Sequence, residues 1–313
     1  MITLRPQEAD KTSTSTSAEP RGNLWNRFWF AEMPAFNFAL FRTILGLLAL
    51  IWFVTLIPDF NVFFGDGSLA IDRVPGRGTF TIFSLFESEI FLWVGLALGH
   101  LASLSLLFGK LTRLGGPVLA VIIASVMAEN RMLWNAGDDL LQTFALLFGI
   151  YCLLTPSSDL DTSLRIAPTT SLATGRLWLF QLIKIQMTVV YLIAFLAKIP
   201  GSMWRDGTAT MVVFRLETME RFYTPAWLET NFVVGNITTW SALALEGALP
   251  FLLWNRKTRP YAIGAAVIFH IAIDWSLYIG LFSWIMILGL TAFLGPSFAV
   301  HAQTAKNKLI RGI

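Results

Sequence analysis

Gln181, Lys184, Thr188, Tyr191 and Lys198 stand at intervals of three, four, three and seven within one apolar run. On a helix, that spacing sets all five on one face. An amine, a phenol and hydroxyl or amide groups aligned in this way are suited to acid–base work. Ionisable groups at membrane depth are costly and face a bundle interior or a wet cavity, so the stripe marks a functional-site hypothesis. The run ends on Lys198 and passes at once into the loop 199–209, which carries Trp204, Arg205 and Asp206. Two further polar groups stand out. Glu129, Asn130, Arg131, Trp134, Asn135, Asp138 and Asp139 lie between two apolar runs, and His270 and Asp274 are four residues apart in a third.

Each of these residues also has a plainer reading. Lys198 would sit at a helix end, where an ammonium reaches the interface while its stem lies in lipid. His270 with Asp274 is either an oriented base or a structural hydrogen-bond pair. Asp138 and Asp139 are as well placed to cap a helix as to act on a ligand. Trp204 and Trp227 fit an interfacial belt, and Trp204 beside Lys198 also fits a pocket wall. Lys184 lies deeper and calls for an ion pair or snorkelling, with Glu246 as its partner by charge alone.

The elements that must position these groups follow from composition. Hydrophobic residues make up 55% of the 313, and charged residues only 14%. That balance belongs to a polytopic membrane protein. A helix needs about 20 mostly apolar residues to cross the bilayer. Eight stretches qualify as spans: 36–57, 90–109, 115–134, 138–155, 177–198, 233–254, 260–276 and 277–294. The runs are continuous and Leu-rich, without the period of two that a membrane barrel needs. The expected fold is therefore all-α, one bundle of about eight transmembrane helices over 25–295. A disordered tail at 1–24 and a short tail at 296–313 flank it.

Lys and Arg set the orientation, because positively charged loops stay in the cytoplasm. With alternate loops assigned to alternate sides, fourteen fall with the two ends of the chain and six on the opposite side. Both termini are expected in the cytoplasm, with Lys198, the 199–232 loop, the 129–139 connection and the end of the seventh span outside. No basic helix with interleaved aromatics suggests nucleic acid. The first apolar run is followed by no small-residue cleavage site and reads as a retained span. Cys152, the single cysteine, excludes an internal disulfide and a Cys-based metal site, and no metal is expected.

Tyr191-Leu-Ile-Ala-Phe-Leu-Ala-Lys198, followed by Trp204-Arg-Asp-Gly-Thr-Ala209, resembles the signature of the HTTM family, bacterial membrane domains similar to vitamin K-dependent gamma-carboxylase. Asn135-Ala-Gly-Asp-Asp139 and Phe269-His270, with Leu281-Phe-Ser-Trp284 after it, extend the likeness over roughly 25–295. The resemblance implies a lysine that deprotonates reduced vitamin K on the luminal side. Oxygen then turns the quinol into a strong base, that base removes a proton from a glutamate side chain, and carbon dioxide adds to the carbanion. Lys198 matches that lysine in the pattern Tyr-x-x-Ala-x-x-x-Lys. By the same resemblance His270 joins it in catalysis, Asn135 helps to bind or polarise the quinol oxygens, and Tyr191, Trp204 and Asp206 line the cofactor site.

Two departures accompany the likeness. Ala197 stands where the animal enzyme has a second lysine, and the interval from Lys198 to Trp204 is one residue longer. About 19 residues follow the last span, so no large luminal domain of the animal type is expected. The leading expectation is a carbon–carbon lyase-type enzyme of the bacterial cytoplasmic membrane. It would use reduced vitamin K or a menaquinol-like quinol, with oxygen and carbon dioxide as co-substrates, in a pocket opening outward. Its substrate would be a small molecule or a secreted peptide. The alternative is a non-enzymatic membrane protein that assists maturation or export of a secreted peptide. A proton-coupled transporter ranks below both, because no pair of broken half-helices occupies corresponding halves.

Overall fold

The computed structural model describes residues 23–65, 81–85, 88–161, 171–295 and 298. Its helices are α1 Leu24–Phe30, α2 Ala35–Leu56, α3 Phe60–Phe64, α4 Glu89–Phe108, α5 Thr112–Glu129, α6 Ala136–Leu154 and α7 Ser157–Leu160. They continue as α8 Trp178–Lys198, α9 Ser202–Arg205, α10 Ala209–Phe214, α11 Ala226–Thr230, α12 Phe232–Leu252, α13 Arg259–Ser276 and α14 Phe282–Leu290. A two-stranded antiparallel ribbon, β1 Glu32–Pro34 with β2 Ser171–Arg176, is the one sheet among the described residues. The 1–22 stretch of the expected first tail lies outside the described residues, as does all of the 296–313 tail except residue 298.

The protein is a polytopic helical membrane protein. Six helices, α2, α4, α5, α6, α8 and α12, are long and apolar enough to cross a bilayer. Of the last two expected spans, the seventh forms over its expected range and the eighth does not. The seventh, α13, is a full helix, yet it carries Arg259, His270 and Asp274. The eighth shrinks to the nine residues of α14 and a 3-10 turn at Thr291–Phe293. Its first residues, 277–281, form a loop in which Gly280 takes a positive φ of 61°.

This short segment nevertheless runs from one end of the bundle to the other. Gly137, in the first turn of α6, lies directly against Phe282, and Gly289 faces Phe144 and Met187. At the far end the Leu294 carbonyl accepts from Asn37 Nδ2, at 2.8 Å, in the first turn of α2. Ser283, Ile285, Met286, Leu288, Gly289 and Leu290 are all buried. Only Trp284 of α14 is exposed, and a helix packed mostly against protein instead of lipid is free of the length rule that bilayer thickness imposes. The bundle therefore begins and ends at one end, here called proximal; the other is distal.

Close helix contacts come from small residues, as expected where lipid offers no hydrophobic drive for helices to associate. Gly46 of α2 meets the backbone of α4 at Ser103 and Leu107, and Gly149 of α6 meets Ala120 and the Gly116 carbonyl of α5. Phe38, Phe41, Phe53, Phe144, Phe148, Phe180 and Phe293 fill the interior. At the proximal end the ribbon joins the entry of α2 to the entry of α8, helped by the bond from Leu177 N–H to the Ala31 carbonyl. Arg42, buried within α2, donates to the Leu160 carbonyl at 2.9 Å and is covered by Gly109 at the end of α4.

Candidate functional site

The polar stripe forms as its spacing requires. Gln181 is buried and its Nε2 donates to the Phe28 carbonyl at 2.8 Å. The Thr188 hydroxyl donates to the Lys184 carbonyl and accepts from Trp254 Nε1 at 2.8 Å. The hydroxyl of Tyr191 meets His270 Nε2 at 2.9 Å. At the last turn, Lys198 Nζ reaches both carboxylate oxygens of Glu246, at 2.8 and 2.7 Å.

Glu246 comes to Lys198 because α8 and α12 are staggered. Gly247 lies against Phe195, and Trp254 against Thr188. In this register α12 runs on past the end of α8: its start, Phe232, is fourteen residues before Glu246, a rise of about 20 Å. The extra length carries the loop that follows Lys198. Gly207, with φ of 72°, sits against Asn236 and Trp240 of α12. The Thr210 hydroxyl is within 2.7 and 2.8 Å of those of Thr238 and Thr239. So anchored, the loop folds α9 back and lays the Trp204 ring 5.3 Å from Lys198 Nζ, a cation–π contact. The Lys198 side chain keeps 26% of its surface exposed and that of Glu246 9%, so the pair stands at a half-open edge.

A second polar node sits about two helical turns deeper along α8. His270 is 1% exposed, its Nδ1 has no partner among the described residues, and the rings of Phe269 and Phe282 flank it. Neither open reading of His270 with Asp274 holds: Asp274 pairs with Arg221 at 3.0 Å, and His270 pairs with Tyr191. Arg221 also donates to the Gly280 carbonyl at 3.3 Å. That loop touches the third group, where Asn135 Nδ2 approaches the Ile279 carbonyl at 3.5 Å.

Asn135 and Asp138 form a reciprocal cap on α6. The Asn135 side chain accepts from Gly137 and Asp138 N–H, and Asp138 accepts from Asn135 N–H and from Trp52 Nε1. The capping reading of Asp138 therefore accounts for its place. Asp139 instead lines a cavity of about 310 Å³ between α5 and α6, with Arg131, Trp134 and Gln142.

The structure thus joins Lys198 to Trp204 and Tyr191 to His270, and it brings Asn135 to the loop shared with Arg221. Asp206 stays apart, exposed at the end of α9 with no side-chain partner among the described residues. Lys184 does not pair with Glu246. Its ammonium lies 5.9 Å above the Phe293 ring and lines a larger cavity, about 880 Å³, at the proximal end. Arg221 was visible in the sequence only as one charge in a loop, and Glu246 only as a partner for the wrong lysine.

Residues 30–298 match the family profile described as the HTTM domain. The Sporulation-delaying protein SdpB of Bacillus subtilis (strain 168) is 31% identical over 125 residues, covering 38% of this chain and 38% of that protein. The aligned part is thus well under half of either protein. No solved structure matches the chain.

Proposed function

This chain belongs to the HTTM family, and from that footing we propose that it is a membrane enzyme acting on a lipid quinol at its distal end, with Lys198 as the proton-accepting group. The observation that carries the reading is the contact of Lys198 with both oxygens of Glu246, at 2.8 and 2.7 Å, beneath the face of Trp204. A general base must stand within hydrogen-bond reach of the proton it takes. For Lys198 to take a proton it must first give one up, and Glu246 is the group placed to receive it. Glu246 or Trp204 gives way to the ligand in this reading, because together they occupy the ammonium.

The donor and acceptor set fits a reduced vitamin K or menaquinol-like ring. His270 Nδ1 and Asp274 Oδ1 are buried without partners among the described residues, and each is able to serve a quinol hydroxyl. Trp204 offers a flat face, and the Asn135 amide, whose oxygen caps α6 and one of whose N–H groups approaches the Ile279 carbonyl, has its other N–H for a ligand oxygen. Tyr191 holds His270 in place, and Asp206 would sit at the entrance. With oxygen, such a quinol supplies the strong base that removes a substrate proton before carbon dioxide adds. The substrate would be a small molecule or a secreted peptide, met on the extracytoplasmic face of a bacterial cytoplasmic membrane, the side opposite the excess of Lys and Arg.

One observation favours a second reading. A lysine saturated by a carboxylate and an indole is also a clamp that ties α8, α9 and α12 together. In that case the protein is non-enzymatic and assists maturation or export of a secreted peptide. The two readings separate by turnover. Oxygen-dependent oxidation of added menaquinol by the purified protein in nanodiscs should fall by about 10²–10⁴ in Lys198→Met, the usual worth of a general base. Absence of quinol oxidation in the unaltered protein supports the clamp.

A further inference from the structure

The proximal cavity of about 880 Å³ lies at the opposite end from Lys198 and is independent of the proposed enzyme activity. It is enclosed by α1, the start of α2, the first turns of α8, the end of α12 and Leu294. Four cations line it, Arg27, Lys184, Arg256 and Arg259, against one carboxylate, Glu32. They gather despite mutual repulsion: Lys184 and Arg259 lie within electrostatic reach of each other, as do Arg259 and Arg256. Arg259 is steadied by the Leu253 and Trp254 carbonyls. Lys184, Arg27 and Arg256 have no carboxylate partner among the described residues. Such an excess of positive charge is a site for an anion.

A second observation narrows the anion. Asn37 and Gln181 line the same cavity and are 4% and 6% exposed. Each donates its amide N–H to a backbone carbonyl, Leu294 and Phe28, which fixes the orientation of the amide and leaves Asn37 Oδ1 and Gln181 Oε1 without partners. Two buried acceptors beside four cations call for a ligand that carries both an anion and hydrogen-bond donors. Hydroxyl donors fit better than an ammonium, which the cations would repel.

The rim points to a lipid. Leu24, Trp25 and Phe30 of α1 are 79%, 63% and 45% exposed, an aromatic and aliphatic fringe of the sort that sits at the membrane interface. We propose that this cavity binds a phosphodiester bearing a polyol headgroup, of the phosphatidylglycerol class, with the phosphate among Lys184, Arg256 and Arg259 and the headgroup hydroxyls donating to Asn37 and Gln181. Basic pockets between membrane helices are suited to lipid headgroups of this kind.

The test uses the delipidated full-length protein in detergent, with lipid binding followed by native mass spectrometry. Phosphatidylglycerol is expected to bind more tightly than phosphatidylethanolamine or phosphatidylcholine. The double variant Lys184→Gln/Arg256→Gln should weaken it by roughly tenfold to thirtyfold, while Lys257→Gln, an exposed cation outside the cavity, leaves it unchanged. Gln181→Leu should narrow the preference for phosphatidylglycerol over phosphatidic acid, which lacks the hydroxyls. Competition by glycerol 3-phosphate at equal concentration would support the same chemistry with a soluble ester as its source. Equal binding of all the lipids, or equal weakening by the double variant and by Lys257→Gln, overturns the site.

Discussion

Removing one member of an ion pair leaves the other behind, so the two halves of the Lys198–Glu246 contact are not equivalent to losing both. Lys198→Met strands a carboxylate whose side chain is 9% exposed, and is expected to destabilise the protein by about 1–3 kcal/mol, less than a fully buried pair because Lys198 is partly wet. Lys198→Met/Glu246→Leu should recover part of that loss, read as the thermal unfolding midpoint in detergent. Tyr191→Phe removes a buried hydrogen bond from His270 and should cost about 1–2 kcal/mol. The residues of this site were partly legible beforehand. Intervals of three, four and seven placed five polar groups on one helix face, and they are there. Their partners were not legible, because periodicity fixes faces within a helix but not the register between helices. Laid flush, α8 and α12 would set Glu246 opposite Lys184; the actual stagger sets it opposite Lys198. Asp274, likewise, shares a helix face with His270, yet Arg221 claims it from a distant loop.

Helices in this bundle approach through glycines, and the sequence shows them without showing which face a neighbour. A Cβ on Gly46 would stand 2.5 Å from the Leu107 nitrogen, whereas one on Gly264 would meet nothing within 4 Å. Gly46→Leu is therefore expected to cost about 1–3 kcal/mol or prevent folding, and Gly264→Leu to stay within about 0.5 kcal/mol of the unaltered protein. Unfolding in detergent compares them directly. Six spans were legible because lipid demands long apolar runs. The last was misjudged for the complementary reason: α14 is enclosed by Phe144, Met187 and its other neighbours, so bilayer thickness does not set its length. Gly280 was the visible clue to the break, since a glycine between two apolar runs marks a turn more readily than a continuous helix.

At the scale of the whole molecule, two polar regions occupy opposite ends of one bundle. The distal end gathers Lys198, Glu246, Trp204, His270 and Asn135, and the proximal end gathers Arg27, Lys184, Arg256 and Arg259. Charge counting assigns the proximal end to the cytoplasm. Eight of the fourteen cations on that side, and two of the six opposite, belong to stretches whose side chains lie outside the described residues; labelling at described positions tests the orientation directly. In a Cys152→Ala background, Met132→Cys, which is 94% exposed at the distal end, should react with an impermeant maleimide on intact cells. Arg256→Cys should react only after permeabilisation. The central claim is that the distal residues hold a lipid quinol. Its most direct test is to purify the protein without added cofactor and identify any co-purifying quinone by mass spectrometry, beside Lys198→Met and His270→Ala. Quinone retained by the unaltered protein and lost from both variants is the predicted result. No quinone in any sample, with added menaquinol also failing to bind, would contradict it and leave the Lys198–Glu246 pair as a structural clamp.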